Sequence, residues 1–399
     1  MLAPFALART MPGRNFLFVP GPTNVPDRIL RAMHRAQEDH RSSTFPELTK
    51  GILSDLTKVF GTTKGQAFVL PSSGTAMWET AIVNSLSPGD KVLAVRNGQF
   101  SHLFIDAAQR LGMQVEIIEA EWGAAVEPAA IQAKLAEDTA GTIKAVLVVH
   151  NETTTGVTSD IGAVRAAMNA ANHHALLLVD GVSSVGSLDF RLDEWGVDFA
   201  IAGSQKGFMM PAGLGIICLG PKGLAAIATA TCPRAFFDLR DHVTHNANGY
   251  FPYTPSLAHL YGLREALDML LAEGMANVAA RHKRLGEGVR RAVKAWNLSV
   301  CTKDLTCQSD TVTAIVVPPS ADAEVVRDIA FRKYNLALGA GLGPLRGKVF
   351  RIGHLGDLNE LMLLGALAGT EMTLVDAGIP ITLGSGVAAA QAWYRESAK

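Results

Sequence analysis

The sequence predicts an α/β protein: a large unit on a mostly parallel, seven-stranded sheet over residues 21–273, then a smaller α+β unit over 274–399, with 1–20 as an N-terminal arm. Three observations predict it. Between about residues 46 and 219, seven short apolar runs alternate with amphipathic stretches, and the runs are apolar on both faces, as strands of a covered parallel sheet are. After a long helix-like segment at 261–271 the pattern changes. Finally, 399 residues exceed what one core ordinarily organises.

The elements follow in order. The run at 66–70 precedes a helix-like stretch at 75–86, the run at 91–95 one at 101–111, the run at 113–118 one at 128–135, and the run at 143–150 one at 161–171. The runs at 175–180, 197–202 and 215–219 complete the large sheet. Beyond a boundary near 273–275, the segments 311–317 and 348–352 look like strands of the smaller unit. No internal repeat or low-complexity tract is visible. In a sheet of this kind the ligand lies beyond the carboxyl ends of the strands, so the polar residues just after the runs are the ones to inspect.

Composition narrows the class of ligand. Hydrophobic residues make up 48% and charged residues 18%, which suits a well-buried enzyme rather than a disordered chain. Lys+Arg 36 against Asp+Glu 37 leaves a formal charge of -1, so no basic surface advertises nucleic acid or an anionic membrane. A small anionic ligand would have to be held by a few placed cations and amides. The four cysteines, Cys218, Cys232, Cys301 and Cys307, form no C-x-x-C pair and no zinc spacing, which fits a reducing compartment. Residues 1–11 are mildly apolar without a basic leader, 361–374 is too short to span a bilayer, and 396–399 is not a peroxisomal address. A soluble cytoplasmic protein is expected.

Three segments at strand ends carry residues with chemistry in them. Lys206 lies in Ile201-Ala-Gly-Ser-Gln-Lys-Gly207, just past an apolar run. An apolar, glycine-flanked turn can lower a lysine's basicity, which a carbonyl-attacking amine needs; taken alone, an ordinary surface lysine is the better reading. Asp180 closes Ala175-Leu-Leu-Leu-Val-Asp180. A carboxylate at the end of a buried strand is costly unless it meets a cation or donors, and the pyridinium nitrogen of pyridoxal phosphate is such a cation; a helix cap or a loop ion pair is the plainer alternative. In Pro71-Ser-Ser-Gly-Thr-Ala76, the small residues Ser73, Gly74 and Thr75 would let backbone amides approach a phosphate at a helix N-terminus. Such turns are common. Together, in the order phosphate turn, aspartate, lysine at successive strand ends, the three make a stronger case than any one of them.

Those segments, with Phe18-Val-Pro-Gly-Pro-Thr23, His150-Asn-Glu-Thr-Thr-Thr-Gly156, Val179-Asp-Gly-Val-Ser-Ser184, Gly203-Ser-Gln-Lys206 and Phe350-Arg-Ile-Gly-His-Leu-Gly356, resemble the class V, fold type I pyridoxal-phosphate aminotransferases. The likeness runs from Pro12 to Ala390 and is nearest to the serine–glyoxylate and alanine–glyoxylate branch. It implies pyridoxal 5'-phosphate as cofactor, Lys206 as its Schiff-base lysine and Asp180 as partner of the pyridine nitrogen. It implies that Phe100 stacks on the ring, that Thr153 lies beside the phenolic oxygen and that Val182 joins the cofactor contacts. Gln205 with Ser73, Gly74 and Thr75 would hold the phosphate. Thr254, accompanied by Tyr253 or Tyr250, resembles a phosphate ligand donated by the other subunit of a homodimer. Arg351 would grip the substrate carboxylate, a task suited to a planar guanidinium. His40 and Arg41 resemble an arm of the partner subunit that reaches the substrate side chain.

The activity so implied is ping-pong transfer of the amino group of L-serine to glyoxylate, giving hydroxypyruvate and glycine, with alanine or aspartate as alternative donors. A desulfurase or lyase on the same fold would need a mobile thiol near the cofactor, for which Cys232 is the only loop candidate, and a non-catalytic cofactor-binding protein is the third reading. No metal is expected: His150-x-Glu152, His173-His174 and His242-x-x-His245 each lack a third ligand at defined spacing. Gly384-x-Gly386 reads as a turn, since too little chain follows it for a dinucleotide-binding unit.

Overall fold

Seven strands form the large sheet of the computed structural model, which describes residues 15–397. In chain order the fourteen strands are β1 (Phe16–Phe18), β2 (Gln66–Ser72), β3 (Lys91–Arg96), β4 (Gln114–Glu119), β5 (Ile143–Val149), β6 (Asn151–Glu152), β7 (Val157–Thr158), β8 (Leu176–Asp180), β9 (Phe199–Gly203), β10 (Gly213–Leu219), β11 (Ser299–Val300), β12 (Val312–Val316), β13 (Leu336–Ala340) and β14 (Val349–Gly353). The mildly apolar stretch 1–11, the start of the family likeness at Pro12 and the last two residues lie outside the described residues.

The large sheet has the order β2-β10-β9-β8-β5-β3-β4. All of the expected runs are in it, and its neighbours pair in parallel except around β10, which is antiparallel to both β2 and β9. Successive residues of the central strands feed opposite cores. Leu177 and Val179 of β8 face the layer made by helices Phe45–Val59, Ile161–Ala170 and Leu257–Glu273, while Leu176 and Leu178 face helices Gly74–Ser85 and Gln99–Arg110. That two-sided burial is why the runs are apolar throughout. The strand order reverses between β3 and β5, which opens a crevice at their carboxyl ends.

The second sheet has the order β1-β13-β14-β12-β11, with β1 parallel to β13 and the rest antiparallel. Part of the expected N-terminal arm, Phe16–Phe18, is therefore an edge strand of the smaller sheet. Phe18, Leu338, Phe350 and Ile352 of this sheet pack with Leu285 and Val289 of helix Met275–Ala295 and with Leu363 and Leu367 of helix Glu360–Asp376, a core separate from the other two. Gly274, at φ 83°, turns the chain between helix Leu257–Glu273 and helix Met275–Ala295, at the expected boundary.

Gly384-x-Gly386 is only half a turn. Gly384 is left-handed at φ 84°, but Gly386 lies inside helix Ser385–Glu396, where a side chain would run into the Trp296 indole. No helix among the described residues is long and apolar enough to cross a membrane.

Candidate active site

Asp180 is the last residue of β8 and is 4% exposed. Its Oδ1 accepts from the Val182 backbone N–H at 2.8 Å and its Oδ2 from the Trp78 indole N–H at 3.0 Å. Burial pushes the carboxyl up to about 6 against the pull of these two donors; Glu152 pushes the same way and Lys206 opposes it.

On the neighbouring strand β9, Ile201 pairs with Asp180, and the chain leaves the sheet to reach Lys206, 9% exposed. Burial lowers the ammonium to about 8, helped by the positive charge of Arg351 and opposed by Asp180. Lys206 Nζ donates to the Pro20 carbonyl. A side chain on Gly21 would strike Lys206 along its Cδ–Nζ end, and Gly21 stands at φ 105°, so only glycine fits there. Thr23 fastens the same segment, its N–H donating to the Gln205 carbonyl at 3.2 Å and its hydroxyl to that of Lys206 at 3.4 Å. The Pro-Gly-Pro segment thus lies across the lysine.

Beside them, β2 ends at Ser72 and helix Gly74–Ser85 begins, with Ser73 as an N-cap whose hydroxyl bonds no helix N–H. A side chain on Gly74 would meet Val182 at 2.6 Å, so the turn lies against the loop after Asp180. A side chain on Gly203 would fall between the Gln205 amide and the Gly74 N–H, 2.9 and 3.2 Å away. The Gln205 Oε1 is buried and without a partner. An amide that can turn its NH2 inward, free backbone N–H groups and two hydroxyls at the start of a twelve-residue helix make a phosphate cradle.

Across the β3/β5 crevice the fully buried Glu152 is the junction. Its Oε2 accepts from the N–H groups of Phe100 and Ser101, each at 3.0 Å, and its Oε1 from Thr154 at 3.0 Å. It caps helix Gln99–Arg110 and so fixes Phe100 over the sheet edge. Burial raises the Glu152 carboxyl, and these donors resist the rise. The next residue, Thr153, accepts at its carbonyl from Arg351 Nη1 at 2.9 Å, while Arg351 Nε donates to Ala340 at 2.7 Å. Arg351, 6% exposed in the middle of β14, is lowered to about 10 by burial, with Glu152 holding it up. Its Nη2 makes no hydrogen bond among the described residues.

Lysine, aspartate, aromatic, threonine and arginine thus converge from the two sheets on one crevice. A family model described as "Aminotransferase class-V" matches residues 15–342 of the chain.

The chain is a class-V aminotransferase.

It is 58% identical over 395 residues to the serine–glyoxylate aminotransferase of Methylorubrum extorquens, 98% of each chain, and 51% identical over 387 residues to the L-aspartate–glyoxylate aminotransferase of Paracoccus denitrificans, 97% of this chain and 98% of that one. The ureidoglycine–glyoxylate aminotransferase of Bacillus subtilis superposes with a TM-score of 0.89 at 28% identity, over 97% of this chain and all of the other. The fold is that of the fold type I pyridoxal-phosphate enzymes.

The residues of this crevice fit that cofactor: a buried acid and a buried base at adjacent strand ends, with an unpartnered amide and a helix N-terminus beside them. Other expected residues of this aminotransferase are exposed or engaged with other partners within one chain. The Tyr253 hydroxyl bonds Asp241 at 3.2 Å with its ring stacked on Phe236, Thr254 is exposed, and the Tyr250 hydroxyl donates to the Ser42 carbonyl at 3.3 Å. Arg41 is exposed, and the half-buried His40 leaves its Nε2 without a partner.

The sequence pattern does not mark Trp78, Glu152 or the Pro20–Gly21 step as site residues. Trp78 falls in a helix whose apolar pattern reads as core. Glu152 and Gly21 lie in motifs that carry the family resemblance, but what they touch comes from distant chain. Of the histidines discounted as ligands, His150 Nδ1 bonds the Ser184 hydroxyl at 2.9 Å under Phe190 and Trp195 and His173 meets Asp138 at 3.2 Å, whereas the buried His242 leaves both ring nitrogens without a partner among the described residues.

Proposed function

We propose that this aminotransferase binds pyridoxal 5'-phosphate at Asp180 and Lys206 and moves the amino group of L-serine to glyoxylate, giving hydroxypyruvate and glycine. The observation that carries the reading is the pairing of a buried lysine of lowered basicity with a buried aspartate on the adjoining strand, faced by Arg351. The names of the relatives from Methylorubrum extorquens and Paracoccus denitrificans support glyoxylate as acceptor and leave serine and aspartate as competing donors. We favour serine. The desulfurase reading is weaker, because the Cys232 thiol is packed in the core between the sheet and helix Gly74–Ser85 and burial pushes it up, away from the reactive thiolate.

When bound, the cofactor supplies an electron sink for the pair released as a substrate Cα–H bond breaks. Asp180, kept as an acceptor by Val182 and Trp78, would hold the ring nitrogen protonated. Phe100, Thr153 and Val182 would border the ring. Ser73, Gly74, Thr75 and Gln205 would hold the phosphate, joined by Thr254 and Tyr253 of a second subunit. Lys206, lowered to about 8, has a sizeable neutral fraction near that pH and can take the α-proton and return it. The Pro20 carbonyl holds its nitrogen meanwhile. Arg351 would take the α-carboxylate of donor and acceptor alike, so one cation serves both halves of the cycle, and His40 and Arg41 would reach the donor side chain.

The same reading divides the chain into an arm at 1–20, whose strand Phe16–Phe18 joins the small sheet, a cofactor domain at 21–273 and a small domain at 274–399, and makes the enzyme a cytoplasmic homodimer. Four free cysteines suit a reducing compartment.

The test is a half-reaction panel. The loaded enzyme is mixed separately with L-serine, L-alanine and L-aspartate, the visible absorbance of the bound cofactor is followed, and glyoxylate is then added. Serine should bleach the band fastest, and glyoxylate should restore it with release of glycine. Faster bleaching by aspartate would change the donor; no bleaching by any amino acid would end the aminotransferase reading.

A further inference from the structure

The two donors to Asp180 differ in kind. The Val182 N–H is local backbone, two residues on. The Trp78 N–H arrives on a side chain 102 residues away, from the helix that begins at the phosphate turn. Its indole is 3% exposed and stacked on Phe104, with ring centroids 5.6 Å apart and planes within 18°, so the N–H has little freedom to point elsewhere. An indole N–H can donate but never accept. The oxygen opposite it must therefore offer a lone pair, which favours the ionised carboxylate over the acid.

That preference is needed, because the other forces on Asp180 conflict. Burial and the Glu152 carboxyl favour the acid, while Lys206 favours the carboxylate. The His150 backbone N–H is spent on the Asp180 carbonyl and its ring bonds Ser184; burial lowers that ring to about 4, so near neutral pH it contributes no charge there.

We propose that Trp78 is a positioning residue for transamination: it holds Asp180 as an ionised acceptor for the ring nitrogen, and its helix thereby ties the phosphate turn to the ring-binding carboxylate. The inference rests on Asp180 being the ring's partner.

The test measures the Kd of the apoenzyme for pyridoxal 5'-phosphate by equilibrium dialysis between pH 5 and 8, in wild type, Trp78→Phe, Asp180→Asn and the double variant. Phenylalanine keeps the stacking and removes only the N–H. In wild type the affinity should fall as pH drops through Asp180's value of about 6, since a protonated carboxyl cannot pair with a protonated ring. Losing the donor raises that value, so in Trp78→Phe the fall should begin about one unit or more higher, with affinity roughly fivefold or more weaker at pH 6. In the loaded enzyme kcat should drop while KM for L-serine, set at Arg351, stays put. On the Asp180→Asn background the Trp78→Phe change should shrink to about twofold or less.

A wild-type pH profile in Trp78→Phe, with Asp180→Asn altered, overturns this proposal and leaves the role of Asp180 standing. A wild-type profile in Asp180→Asn removes the underlying reading as well. Should Trp78→Phe not fold, the wild-type apoenzyme labelled with 15N at its five tryptophans decides. One indole N–H signal should titrate near pH 6 and cease to do so in Asp180→Asn; no such signal overturns the proposal.

Discussion

Arg351 is buried with two of its nitrogens tied to carbonyl oxygens and, among the described residues, no carboxylate touching it, so its charge is compensated at a distance. A substrate carboxylate would complete the pair. Arg351→Ala should weaken donor and acceptor alike by about 1.5–3 kcal/mol, that is, raise KM for serine and for glyoxylate together by roughly tenfold to over a hundredfold. Steady-state kinetics with each substrate varied in turn would check it, and a rise confined to one substrate would take Arg351 off the shared carboxylate. At this scale the sequence is most legible where a polar residue interrupts an apolar run. Asp180 closes such a run and Arg351 is conspicuous among Val349, Phe350 and Ile352, whereas Lys206, after Ser204 and Gln205, reads alone as a surface lysine and is marked out only together with the other strand-end segments and the family resemblance. Trp78 and Glu152 were not legible as site residues, because an indole in an apolar helix matches its surroundings and a glutamate's partners are a matter of folding, not of spacing.

The strands of the large sheet were readable because both faces are buried, which leaves an uninterrupted apolar signature. Pairing direction leaves no such mark, so the reversal at β10 was not foreseen. Nor were β1 and β13: Phe16–Phe18 has three residues, and Leu336–Ala340 is diluted by alanine and glycine. The segment between β1 and Thr23 shows what a short connection can be held to. Gly21→Ala would put a methyl group into the Lys206 side chain at a backbone angle that disfavours any Cβ, at a cost of about 1–3 kcal/mol for the backbone alone. The variant should melt at a lower temperature and lose cofactor on gel filtration. Melting curves and the cofactor absorbance of the eluted protein would show it; full retention of cofactor would mean that this segment does not set the position of the lysine.

Over the whole molecule, the proposed reading assigns to a neighbour four residues that one chain leaves exposed or without a contact to Lys206: Arg41, His40, Tyr253 and Thr254. Subunit exchange can test that assignment. If the enzyme is the proposed homodimer, the Lys206→Ala and Arg41→Ala variants, each poorly active with serine, should recover activity when unfolded together and refolded as a mixture. If Arg41 acts across the interface, each hybrid carries one site with both defects and one with neither, so about a quarter of all sites become wild type. No recovery would place Arg41 in its own subunit's site, or in none. The chain also crosses between its two sheets at a telling point. Val19 and Pro20 lie against Gly339 and Gly353, the two glycines that flank Arg351 in the small sheet, while the Pro20 carbonyl holds Lys206 and Gly21 lies against it. Mechanically this is a connecting rod. If the small sheet swings away from the large one, the arginine withdraws from the crevice and the rod is drawn off the lysine in a single stroke, so that letting go of one molecule and freeing the amine for the next are coupled by geometry.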